Sequence, residues 1–82
     1  MKTYTTKSSN GTVSLNKSEF PIIYSVKAYL TNYNLDEVIV EQLLDYSSSV
    51  WRISIWYYYQ GGANWRLLKD NRLVIRIIYS EG

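Results

Sequence analysis

The chain contains no cysteine and no histidine. The first absence excludes a disulfide and a thiolate metal site. The second removes the commonest zinc ligand and the commonest general base. No run of about 18 apolar residues is present, so no segment is expected to cross a membrane as a helix. Residues Met1–Asn16 are polar and lack the apolar stretch of a secretion signal. Together with the missing cysteines, this points to a cytoplasmic protein.

Enzymatic chemistry is also poorly provided for. There is no Gly-x-Ser-x-Gly motif, and Gly61-Gly62 does not continue into a phosphate-binding Gly-x-x-x-x-Gly-Lys pattern. The remaining carboxylates, tyrosines and lysines show no spacing that would pair them in a cleft. No catalytic residue, cofactor or metal ligand is expected.

What is present is aromatic and apolar. The 82 residues include nine Tyr, three Trp and one Phe, and 46% are hydrophobic. This length makes one domain, residues 1–82. A chain so short buries only roughly 60% of its unfolded surface. Without disulfide or metal, stability must come from dense packing or from a second copy of the chain.

Charge is unevenly placed. Residues 1–49 carry four Lys and five acidic groups, while residues 50–82 carry four Arg, one Lys and two acidic groups. Every arginine therefore lies in the C-terminal third, against a net charge of only +2.

The hydrophobic pattern predicts a mixed architecture. Residues 3–15 read as a weak hairpin about Asn10-Gly11, whose φ preferences suit a type I′ turn. The alternative is a flexible N-terminal arm over residues 1–16. Ser18–Tyr33 reads as a helix, with Ser18 as cap, Pro21 in the first turn, and Ile22, Val26, Tyr29 and Leu30 on one side. Asn34–Tyr46 reads as a second helix, with Asn34 and Glu37 as a capping box and a wide apolar stripe including Val38, Ile39, Val40, Leu43 and Leu44. Its polar remainder, Glu37, Glu41 and Asp45, forms an acidic ladder at i, i+4, i+8, expected as a solvated helix face.

The C-terminal third alternates with a period of two. Val50–Gln60, Asn64–Lys69 and Arg72–Tyr79 read as strands, separated by Gly61-Gly62-Ala63 and by a tight turn at Asp70-Asn71. The expected fold class is α+β: two helices on one face of an antiparallel sheet, in the order β(β)ααβββ. The expected core is Ile22, Val26, Leu30, Val38, Ile39, Leu43, Ile53, Ile55, Leu73, Ile75 and Ile77.

In strands, residues two apart share a face. The apolar set of the C-terminal third then points into the core, and Arg52, Trp56, Tyr58, Arg72 and Arg76 point away from it. Arg66 joins them if Trp65 faces the core. Aromatic residues and arginine are enriched at protein interfaces while lysine is depleted. This composition predicts a non-catalytic protein-interaction module, a regulator, inhibitor or assembly subunit, binding a protein or forming a homodimer. The alternative is nucleic-acid binding by the same face, since guanidinium groups grip phosphates and flat rings stack on bases.

Overall fold

A computed structural model describes residues 1–30, 38–59 and 64–82. Among them the backbone forms seven strands and no helix. These are β1 (Lys2–Lys7), β2 (Thr12–Asn16), β3 (Ile22–Leu30), β4 (Val38–Asp45), β5 (Val50–Tyr59), β6 (Asn64–Leu67) and β7 (Leu73–Ser80). The protein is all-β, which overturns the expected α+β class.

The strands form two antiparallel sheets. The first has the order β1-β7-β3. The second is built around β5, with β4 along one edge and β2 and β6 sharing the other. The strands at the middle of each sheet, β5 and β7, are the two with the clearest alternation. Their inward residues Ile53, Ile55, Leu73, Ile75 and Ile77 are completely buried. Leu15, Phe20, Leu30 and Leu68 join them in one core, so the two sheets share a single hydrophobic interior.

Within the expected helix Ser18–Tyr33, Ile22–Leu30 is a strand, residues 31–33 lie outside the described residues, and the reason for the difference lies in one extra residue. The pairing of β3 with β7 slips at Tyr24, between Ile23 opposite Tyr79 and Ser25 opposite Ile78. Such a bulge makes two residues oppose one and shifts the alternation by one position. Ile23 and Val26 consequently share the core side although they are three apart, a spacing that imitates a helix turn. Beyond the bulge the alternation is regular: Val26, Ala28 and Leu30 face inward, and Ser25, Lys27 and Tyr29 face outward. One helix-like turn does form just before the strand, where the N–H groups of Glu19 and Phe20 both donate to the carbonyl of Asn16. It does not propagate.

Val38–Asp45 is likewise a strand and not the second helix. Ile39 packs against the core, whereas Val40 and Leu44 are exposed on the outer face. The apolar pairs Ile39-Val40 and Leu43-Leu44, four residues apart, imitate a broad helical stripe because this strand is apolar on both faces. The expected caps Asn34 and Glu37, the loop Gly61-Gly62-Ala63 and the side chain of Val38 lie outside the described residues. Two expected core residues are exposed, Ile22 at 43% and Leu43 at 37%, and Val26 and Ile39 are only partly buried.

The N-terminal hairpin is also corrected. Among the described residues β1 pairs only with β7, and β2 only with β5, so the segment between them crosses from one sheet to the other. Gly11 has φ 82°, as a left-handed turn residue would, but it serves this crossing. Its carbonyl accepts from the N–H of Ile55 at 2.9 Å, while the carbonyl of Ile55 accepts from the N–H of Leu68 at 2.9 Å. Gly11 and Leu68 thereby continue the edge of β5 between β2 and β6.

Aromatic packing closes one end. Phe20 lies between Tyr4 and Tyr79 at centroid distances of 5.3 and 4.5 Å, and its carbonyl accepts from Trp51 Nε1 at 2.9 Å. The contact joins β1 and β7 of one sheet to β5 of the other.

Candidate functional site: an aromatic sheet face

The outer face of the β5 sheet is not covered by any other described element. Register sets its composition, since residues directly opposite in an antiparallel pair share a face. Val40, Trp56 and Leu67 form one row, and Tyr58 and Trp65 lie beside it. Leu44, Arg52 and Ser14 form a further row, separated from the first by Gln42, Ser54 and Thr12.

The side chains are held in place. Trp56 Nε1 donates to Gln42 Oε1 at 3.2 Å. Tyr58 and Trp65 pack edge to face at a centroid distance of 5.5 Å. A shallow, mainly apolar groove of about 580 Å³ runs between Val40, Glu41, Gln42, Trp56 and Trp65. Trp65 is 49% exposed. Arg52 lies over the ring of Tyr46 at 4.5 Å, and among the described residues its buried Nε has no hydrogen-bond partner. A cationic donor beside exposed rings is the arrangement from which interface anchors are made.

Only three of the six residues expected at the site come together: Arg52, Trp56 and Tyr58. Arg66 is opposite Tyr57 and so lies on the other face of β6, while Trp65 points outward, the reverse of the expected orientation. Arg72 sits in the turn before β7, where its guanidinium clamps Asp70 at 2.7 and 3.0 Å and its N–H donates to the same carboxylate. These bonds hold the Asp70 carboxyl down to about 2. Arg76 is on the outer face of the other sheet, over the ring of Tyr29 at 5.6 Å.

Sequence reasoning missed Val40, Gln42, Leu44, Tyr46 and Trp65 as members of this face. Val40 and Leu44 had been absorbed into a helix stripe, and nothing local distinguishes the two readings. The acidic ladder dissolves as well. Asp45 pairs with Lys17, whose ammonium also lies 4.6 Å over the ring of Trp51. Glu41 bonds the backbone of β3. At the other end of the first sheet, a hydrogen bond from Lys2 to Glu81 at 2.9 Å raises the pKa of the lysine. No three potential metal-ligating side chains converge among the described residues, and no helix there is long and apolar enough to cross a membrane.

No family model matches this chain, and no similar curated protein or solved structure was found.

Proposed function

We propose that this protein is a non-catalytic interaction module that engages a protein partner, in the simplest case a second copy of itself, through the outer face of the β5 sheet. One observation carries the reading. Trp56, Trp65, Tyr58 and Val40 form an aromatic and aliphatic surface, and across a polar row from it lie Leu44 and Arg52, whose buried Nε has no hydrogen-bond partner among the described residues. Burying such a surface in a partner removes apolar area from water, and a partner carboxylate or carbonyl would satisfy Arg52. A cytoplasmic location belongs to the same reading and rests on composition, since a chain without cysteine has no need of an oxidising compartment.

Nucleic-acid binding by this same face has less support. Of the four arginines, Arg52 alone lies on it.

Sedimentation equilibrium, run over a range of protein concentrations, tests the reading. Self-association in the micromolar to millimolar range should weaken at least about tenfold in Val40→Glu, which places a charge in the groove. If the wild type is monomeric throughout, a photo-crosslinker at position 65, introduced in the living source cell, should yield discrete protein adducts. A monomer that gives no adduct overturns the proposal.

A further inference from the structure

The other sheet has a different outer face. Register places Thr5, Arg76 and Lys27 in one row across β1, β7 and β3, and Lys7, Val74 and Tyr29 in the next. Three cations from three distant parts of the sequence thus meet on one surface. Adjacent strands are about 4.8 Å apart and residues two apart about 6.6 Å, so Lys7 and Lys27 lie roughly 12 Å from each other across Arg76.

Among the described residues no acid on this face balances the charge. Its other outward positions are Thr3, Ile22, Ser25, Ile78 and Ser80, with no acid among them. Glu41, at the β3 edge, is engaged by the N–H of Ala28. Glu81 is paired with Lys2. Among the described residues neither Lys7 nor Lys27 has an ion-pair partner. Lys27 is directly opposite Arg76, an arrangement that is destabilising for like charges. The fold tolerates that repulsion, and an anionic ligand would relieve it.

We infer that this face binds single-stranded nucleic acid, with Lys7, Arg76 and Lys27 neutralising successive phosphates. Three features favour that occupant over an acidic protein surface. Two of the three cations are lysines, which protein interfaces avoid and phosphate-tracking surfaces use. The hydroxyls of Thr3, Thr5 and Ser25 flank them, and such groups share the work of positioning a sugar–phosphate backbone. Tyr29, 39% exposed and carrying the Arg76 guanidinium over its ring, offers a flat surface on which a base can stack. The site is separate from the aromatic face of the β5 sheet, so each proposal can fail without the other.

Fluorescence anisotropy with a labelled oligothymidylate of roughly fifteen nucleotides tests the inference, titrated over salt. Three neutralised phosphates on a single strand predict a log–log salt slope of about −2, and Lys27→Gln should reduce it to about −1.4. The double substitution Lys7→Gln, Lys27→Gln should lower affinity at least about tenfold at low salt. Both lysines are exposed, so these variants keep the fold, which a thermal melt verifies. Arg66→Gln, on the other sheet, should change neither slope nor affinity. Absence of binding at low salt overturns the inference, as does equal weakening by Arg66→Gln. Lysine-dependent binding to phosphatidylserine vesicles, with none to the oligonucleotide, would overturn it in favour of a membrane surface.

Discussion

Glu41 on β4 accepts a hydrogen bond from the backbone N–H of Ala28 on β3 at 3.1 Å. The contact spans the seam between the two sheets. Among the described strands β3 bonds to β7 along one edge only, which leaves its outer edge with N–H groups outside any ladder. Sheet edges of this kind recruit further strands unless they are covered or charged. Here a carboxylate engages one of these N–H groups and places a charge beside the edge, from a position that the sequence pattern assigns to a solvated helix face.

Replacing Glu41 should therefore have a graded effect. Glu41→Gln keeps an acceptor oxygen, whereas Glu41→Ala strands the Ala28 N–H. Urea unfolding should show a loss of about 1–2 kcal/mol for alanine and less for glutamine. Amide hydrogen exchange at Ala28 should accelerate in the alanine variant alone. Equal stability of all three proteins would remove the proposed role of this bond.

Gly11 sits where β2 and β6 meet on the edge of β5. A Cβ there would approach the Leu68 carbonyl oxygen to 3.0 Å, and φ is 82°. Gly11→Ala should lower stability by about 1–3 kcal/mol in denaturant titration. Gly11→Asn separates the two causes, because asparagine tolerates positive φ but still carries a Cβ. A loss as large as that for alanine assigns the effect to Leu68.

Ile75 and Ile22 were both expected in the core, and the fold divides them. Ile75 is fully buried at the centre of β7, whereas Ile22 is 43% exposed at the start of β3. Ile75→Ala should destabilise by about 2–5 kcal/mol, and Ile22→Ala by less than about 1 kcal/mol. Comparable losses in thermal melts would contradict this burial.

The Asp70–Arg72 clamp predicts a pH dependence. Hydrogen bonds from the Arg72 side chain, then from its N–H, hold the Asp70 carboxyl at about 2, below its ordinary 3.8. With the folded value depressed, the contribution to stability is present above 3.8 and is lost as pH falls towards 2. Carboxyl-carbon NMR should place the wild-type midpoint near the lower value, and Arg72→Gln should move it upward. A wild-type midpoint at 3.8 would show that the clamp does not form in solution.

The C-terminal strands were readable because alternation is a local property. Ile53, Ile55, Leu73, Ile75 and Ile77 follow from it and occupy the interior. β3 and β4 were not readable for two physical reasons. The bulge at Tyr24 breaks the period of two, so Ile23 and Val26 repeat like neighbours on a helix. β4 carries apolar residues on both faces, so its pattern has no polar phase to mark the strand. The candidate site was half legible for a related reason. Arg52, Trp56 and Tyr58 share one strand and keep their common face in any fold that preserves the strand. Val40 and Trp65 reach that face only through pairing with β5.

By itself, the sequence determined which side of β5 and β7 is apolar and which chemical groups were available for the surface. It could not determine which sheet each strand joins. Arg52 and Arg76 both point away from the core, yet they lie on the outer faces of different sheets. A period of two tells a side chain its face and not its neighbours. Those are chosen by hydrogen-bond pairing between segments far apart in the chain. The tertiary structure therefore decided that aromatic rings would gather on one outer face and cations on the other.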